Sequence, residues 1–275
     1  MKATEVQILA KAKASFPPWP KMLDAAFNEL DDKLTNSFVS RNFCRAILDV
    51  EEANYASFME SEAKAFPELV VAWMDAYGSQ IQKMHRAALV GAIDGEGSLS
   101  NTLKDVVREV VRDSFPLIRQ FQTTVVQMRK KRAGESFQEI VLRLLNRIDI
   151  PCQRAKGEVE AELGHTDLVV PDVKTARATP DKAIFMACQH TLAERWWANV
   201  GIASGGRRGY ILTIDKRLGE KKANRLKKHN LIVYVRDDVK ETDALNPMPW
   251  VRKLSDLPSD LGDFKQEGVR LTLGR

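Results

Sequence analysis

From Leu168 onward the chain alternates between short apolar runs of strand length and helical stretches, and this alternation restricts what it can fold into. Leu168-Val-Val170 reads as a buried strand closed by Pro171-Asp172. A loop containing Pro180 leads to Ala183–Cys188, a continuous apolar run. A helix follows from Thr191 to Gly201, and Gly205-Gly206 extends the loop after it. Tyr210-Ile-Leu-Thr-Ile214 is another strand, Leu218 to His229 a basic helix, and Leu231-Ile-Val-Tyr-Val235 a further strand. Apolar runs without polar alternation belong to strands covered on both faces, and regular exchange with helices gives an α/β layer structure. The predicted core is therefore a central mixed β-sheet flanked by helices, spanning residues 126–275. The tail after Thr242 reads as loop-rich.

Residues 1–125 read as a mostly helical region. Leu103, Val106, Val107, Val110 and Val111 recur at helical spacing behind Asn101 as a cap, and Met74, Tyr77 and Ile81 share a stripe in the helical stretch from Pro67 to Met84. Asp94 to Ser100, with two glycines, reads as a loop. A helical platform that contacts DNA backbone or serves dimerisation is the expectation for this region. After Gln127 the basic cluster Met-Arg-Lys-Lys-Arg-Ala-Gly runs into a helix whose apolar stripe is Phe137, Ile140, Val141, Leu144, Leu145 and Ile148. Ser136 and Glu139 have capping-box spacing, which predicts a helix start near Ser136.

The net charge of +5 and pI near 9.0 lean toward a polyanionic partner, and the basic residues concentrate after residue 129. Cys44, Cys152 and Cys188 have no metal-type spacing and leave one thiol over in any disulfide scheme, which favours a reducing cytoplasm. No apolar run reaches the ~20 residues that span a bilayer, and the N-terminus lacks the form of a secretory signal.

A carboxylate fixed at a strand end, with a hairpin partner strand carrying a donor toward a phosphate, is the geometry that holds Mg²⁺ against a phosphodiester. Asp167 stands at such a strand border, and Gln189 ends the second strand two residues after Ala187. A strand-border Asp also serves as a cap or turn residue, and spacing alone leaves both readings open. On a strand of period two, His165 shares a face with Asp167 and is a candidate base or a turn histidine, whereas His190 faces opposite Gln189.

Three segments taken together, Arg129-Lys-Lys-Arg132-Ala-Gly-x-x-Phe137, Asp167-Leu-Val-Val-Pro171 and Thr191-Leu-Ala-Glu-Arg-Trp196, resemble type II restriction endonucleases of the group formed by the EcoRII catalytic domain, PspGI and SsoII. The similarity continues through Tyr210–Ile214, the helix from Gly219 to His229 and Asn230–Val235. It covers roughly residues 127 to 240. It implies a PD-(D/E)xK nuclease core, Mg²⁺-dependent cleavage of duplex DNA at a short palindrome containing CC/GG, and a homodimer. Asp167 matches the family's metal-binding Asp. Gln189 falls on its catalytic Lys, Gln138 on its helix Glu, and its second helical Glu falls near Ile202. Glu139 and Glu194 are the carboxylates within reach to replace those acids. Glu194 is equally a first-turn carboxylate favoured by the helix dipole.

The same resemblance assigns base reading to the arginine-rich segment, here Arg129, Lys131 and Arg132. Arginine pairs bidentately with guanine O6 and N7, and Glu135 can accept from cytosine N4. Simple phosphate contact is the competing role for these residues. Arg195 faces the site or the DNA. The basic helix from Leu218 to His229 reads as a solvated face with weak phosphate attraction. An active endonuclease built on Asp167, Gln189 and Glu194 or Glu139 is the leading expectation. A DNA-binding relative that no longer cuts, acting as a specificity subunit or regulator, is the alternative. A repair-type nuclease that recognises DNA structure is the third.

Overall fold

The computed structural model describes residues 3–93, 101–192, 201–203 and 207–267. Its elements in chain order are α1 (Ala3–Ala14), α2 (Trp19–Glu29), α3 (Asn36–Arg41), α4 (Phe43–Ile93), α5 (Asn101–Arg147), β1 (Gln153–Arg154), α6 (Glu158–Glu162), β2 (Leu168–Val170), α7 (Val173–Ala178), β3 (Ile184–Gln189), β4 (Arg208–Thr213), α8 (Glu220–Lys228), β5 (Leu231–Val235), α9 (Asp237–Lys240), β6 (Val251–Lys253) and α10 (Leu257–Glu267). Among the described residues no helix is long and apolar enough to cross a membrane.

The chain divides into two units. The first comprises residues 1–22 and 55–131. Its core joins Ile8, Leu9, Ala12 and Phe16 to Phe58, Ala65, Leu69 and Trp73 of α4 and to Leu117, Phe121 and Val125 of α5. Phe16 and Phe58 meet with ring centroids 5.5 Å apart. Of the expected stripes, Tyr77 packs against this core, whereas Met74, Val107 and Val111 are exposed, because α4 presents the 65, 69, 72, 73 face to the core and α5 the 117, 121, 125 face; the side chains of Ile81, Leu103, Val106 and Val110 lie outside the described residues. Helical spacing identifies an apolar face but does not say which side of the helix receives a partner.

The second unit comprises residues 23–54 and 132–275, so the first turns of α4 belong with the sheet, whereas the expected boundary lay near residue 125. The sheet is mixed and ordered β1-β2-β3-β4-β5-β6. β1, β2 and β3 pair antiparallel, and β3 to β6 pair parallel. β3 is buried along both faces until Gln189, as its unbroken apolar run requires. Phe185, Ala187, Ile211 and Val233 of one face pack with Leu192, Ile202, Ala223 and Leu226. On the opposite parity the Tyr210 and Tyr234 rings meet at 5.2 Å, tilted by 50°, and the Tyr234 hydroxyl donates to Asp260 of α10. α8 turns Ala223 and Leu226 inward, and its Lys227 ammonium lies 4.2 Å over the Trp250 ring.

Three expectations change. α5 runs unbroken through Ser136, whose buried hydroxyl donates to Glu51 (3.3 Å), so the Ser136/Glu139 spacing falls inside a helix instead of capping one. The stripe itself holds, with Phe137, Ile140, Val141, Leu144 and Leu145 fully buried. The segment after Pro171 forms the short helix α7, capped by Asp172, whose carboxylate accepts the Thr175 N–H at 2.8 Å. The tail after Thr242 supplies β6, the sixth strand of the sheet. Three residues are too few for periodicity to register. The expected loop Asp94–Ser100 and most of the expected Thr191–Gly201 helix lie outside the described residues.

Candidate active site

Asp167 stands one residue before β2. Its N–H donates to the Met186 carbonyl (3.0 Å) and its carbonyl accepts from the Ala155 N–H (2.9 Å), which fixes the backbone on both sides. Because β2 and β3 run antiparallel, the start of one lies beside the end of the other. The carboxylate therefore meets the carboxyl end of β3, and Oδ2 accepts the Cys188 N–H at 2.7 Å. Oδ1 accepts from Gln138 Nε2 at 2.6 Å, and Gln138 Oε1 accepts from the Arg154 guanidinium at 2.6 Å. A guanidinium can only donate, so the Gln138 oxygen must face Arg154 and its NH₂ must face Asp167. The result is a chain from Arg154 on β1, through Gln138 on α5, to Asp167 and the β3 backbone.

Burial pushes the Asp167 carboxyl up to about 7. The Cys188 N–H works against the rise, Glu160 adds to it and Arg154 opposes it. Near neutral pH the neutral and ionised forms are thus comparably populated.

The approach to Asp167 differs from the strand expected for it. Gly164 and His165 both have left-handed backbone (φ 76° and 63°), and the His165 N–H donates to the Glu160 carbonyl at 2.8 Å, closing a turn after α6. Thr166 is fully buried and its hydroxyl donates to the Leu163 carbonyl (2.6 Å). Strand alternation starts too late for His165 to share a face with Asp167. At Gly164 a side chain would meet the Gly201 backbone at 2.7 Å, so this close approach needs a glycine.

The structure brings Asp167, Gln138 and the end of β3 together. Gln189 closes β3 opposite Thr213 of β4, half-buried. Glu139 accepts from Arg143 at 2.9 Å and lies 3.9 Å from Arg154, so it is held by arginines. Arg132 does not reach the surface. It is 3% exposed and donates to Glu51 at 3.1 Å, whereas reading a base edge needs an exposed guanidinium. Glu51, itself buried, also meets His190 Nε2 at 3.2 Å, and the His190 ring stands edge-on to Phe137. In the other unit, Arg129 is paired with Glu62 at 2.5 Å, which raises its pKa, and Lys131 is exposed. Glu135 is half-buried on α5. Glu194 and Arg195 lie outside the described residues.

Glu51 and Arg154 were not singled out from the sequence. No motif marks them; Arg154 gains its place through the β1–β2 register and Glu51 through the fold of α4 onto the sheet unit.

Residues 98–248 match the model of the EcoRII C-terminal family. The chain belongs to this family. Among solved structures it is similar to metal-depleted Ecl18kI in complex with uncleaved DNA, at a TM-score of 0.77 and 18% identity, over 99% of this chain and 86% of that one. A second Ecl18kI complex, with uncleaved, modified DNA, gives the same score over 98% of this chain. The PspGI restriction endonuclease bound to substrate DNA matches at a TM-score of 0.62 and 18% identity, over 91% of this chain and 94% of that one. No curated protein matches significantly. The fold is thus that of restriction endonucleases, and relatives in the EcoRII C-terminal family are type II enzymes of that kind.

Mg²⁺ takes oxygen ligands in near-octahedral array. Around Asp167 both carboxylate oxygens accept N–H groups, an amide replaces the carboxylate that the resemblance places on α5, and Ile202 is fully buried in the apolar core where a helical Glu falls. Among the described residues no group of three or more His, Cys, Asp or Glu gathers as for a metal ion. Among the described residues, the donors around Asp167 do not fit Mg²⁺.

Proposed function

We propose that this protein binds duplex DNA sequence-selectively through the restriction-endonuclease fold without cutting it. The observation that carries this reading is the Arg154–Gln138–Asp167 chain. It satisfies both oxygens of the acid with protein N–H donors, Gln138 Nε2 and the Cys188 N–H, and Arg154 orients Gln138 in turn. Lys130 and Lys131 are exposed, as phosphate contact requires, and Arg195 remains the residue we assign to DNA contact. A palindromic target would be met by a homodimer, since two-fold protein symmetry mirrors two-fold DNA symmetry. Exposed Val107, Val111 and Phe115, at successive four-residue steps on α5, are in keeping with a second copy. The cytoplasm is the compartment that suits such a protein and its reduced, buried thiols.

Mg²⁺-dependent cleavage is the second reading, favoured by Asp167, which by resemblance matches the family's metal-binding Asp and whose carboxylate meets the carboxyl end of β3, with Glu139 or Glu194 as the added acid. Incubation with unmethylated phage DNA, with and without Mg²⁺ and beside Asp167→Ala, separates the two. Retarded but intact DNA, unaffected by the substitution, is the expected result. Discrete fragments that require both Mg²⁺ and Asp167 would establish the nuclease and overturn the proposal.

A further inference from the structure

α8 carries five basic side chains and one acid, Glu220. The fold accounts for two of the five. The Lys222 ammonium donates to the Leu192 carbonyl, and the Lys227 ammonium lies over the Trp250 ring. The other three, Lys221, Arg225 and Lys228, follow at steps of four and three residues, which aligns them on one stripe of the helix. Ala223 and Leu226 are buried on the opposite side, and all three cations are exposed. From Lys221 to Lys228 the helix rises about 10 Å. That is about the axial rise of three phosphates along one strand of duplex DNA.

Elsewhere the exposed cations Lys33, Lys64 and Arg177 each have a carboxylate at 2.5–2.6 Å. Among the described residues, none of the three cations on the α8 stripe is paired with a carboxylate. Like charges at these spacings repel, and Lys221, in the first turn, also opposes the helix dipole. Folding alone does not account for that charge, whereas an anion laid along the stripe relieves both costs. A lipid surface would need apolar side chains flanking the cations, and every exposed residue of α8 is charged.

The helix starts at the edge of the sheet that Asp167 occupies. Gln189 and Thr213 end β3 and β4 level with one another, and the Asp167 carboxylate accepts the Cys188 N–H at that end. Leu192, just beyond, is held there by Asp215, which accepts its N–H at 3.0 Å, and by Lys222 of the first turn of α8. The stripe thus begins beside the candidate site and leads away from it.

We propose that Lys221, Arg225 and Lys228 track the phosphate backbone of duplex DNA flanking the target bases. This rests on the reading that the protein binds duplex DNA. Phosphate contact carries no sequence information, so the stripe adds affinity for every duplex and leaves selectivity to other groups.

The test measures the affinity of the full chain for a duplex selected from a random library and for a scrambled one, across salt concentrations. Each of Lys221→Gln, Arg225→Gln and Lys228→Gln is expected to lower the slope of log affinity against log salt by about 0.9, and the triple variant by about 2.7. Both duplexes should weaken alike, so the ratio of their affinities stays as in the wild type. Arg225→Lys should keep the slope. Lys174→Gln and Lys182→Gln remove the same charge from exposed positions between β2 and β3, at the opposite edge of the sheet, and should leave the slope unchanged. An unchanged slope in the triple variant would overturn the proposal, and loss of binding to phosphatidylserine vesicles in that variant would then assign the stripe to a lipid surface. An equal fall in the two controls would also overturn it, as would a reduced ratio, which would make the helix a reader of bases. A wild type that binds neither duplex would instead overturn the DNA-binding reading on which the proposal stands, a distinct failure.

Discussion

Replacing Gln138 with Glu puts a carboxylate oxygen where an N–H now donates to Asp167 at 2.6 Å. If the side chains relax until the charges are about 4 Å apart, repulsion at an effective dielectric near 20 is about 4 kcal/mol. Arg154, which faces Gln138 at 2.6 Å, would gain a charged acceptor and offset about 2 kcal/mol of this. The expected net loss is about 2 kcal/mol above about pH 8, where both acids ionise. Toward about pH 5 the pair shares a proton and the loss shrinks to near zero. The folded pair binds a proton more tightly than the unfolded chain, so its stability is present at low pH and disappears as pH rises. For a chain of this size the loss corresponds to a melting temperature about 4–8 °C below wild type. The variant also restores a pair of carboxylates, so Mg²⁺ at about a hundred times its Kd should return about 2.7 kcal/mol. Thermal unfolding of wild type and Gln138→Glu at the two pH values, with and without Mg²⁺, reads all of this. The reasoning fails if the variant melts with the wild type at high pH, or if Mg²⁺ raises the wild-type melting temperature as much as the variant's.

Asp167 itself has a folded pKa raised to about 7, so its contribution is fully present below the ordinary carboxylate range and is lost as pH rises through about 7. The unfolding free energy of Asp167→Asn relative to wild type should accordingly move in the variant's favour from about pH 4 to about pH 7, and a difference independent of pH would refute the assignment. Glu51→Ala removes the shared acceptor of Arg132, Ser136 and His190; denaturant unfolding should show a loss of about 3–5 kcal/mol. Gly164→Ala combines left-handed backbone with a 2.7 Å clash against Gly201, and the same measurement should register a loss of about 2–3 kcal/mol. A change under about 0.5 kcal/mol would show that this turn yields freely.

The strands β3, β4 and β5 and the buried stripe of α5 were legible in the sequence because each rests on a local pattern. An apolar run with no polar alternation has only a strand covered on both sides to occupy, and Phe137 to Leu145 repeat at helical spacing. Asp167 was legible as an acid entering a strand, while its role as a site residue came from the family resemblance and stands as a proposal. β6 and α7 were missed because three to six residues carry too little period to stand out. The Ser136 cap was misassigned because a capping box and a mid-helix Ser share one spacing.

The polar partnerships belong to the tertiary structure alone. Arg132 looked like a surface reader beside Lys131, yet the helix turns it into the interior against Glu51, 81 residues away. Gln138 could be placed opposite a family carboxylate by resemblance, but that its amide bonds Asp167, and that Arg154 orients it, depends on how α5 and β1 meet the hairpin. Asp215 reaches Leu192 only because β3 and β4 end in register. The sequence by itself determined which segments are strands and helices and where the retained acid stands, since periodicity and burial act over a few residues. The tertiary structure decided what that acid touches, because a hydrogen bond depends on distances of a few tenths of an ångström between groups far apart in the chain.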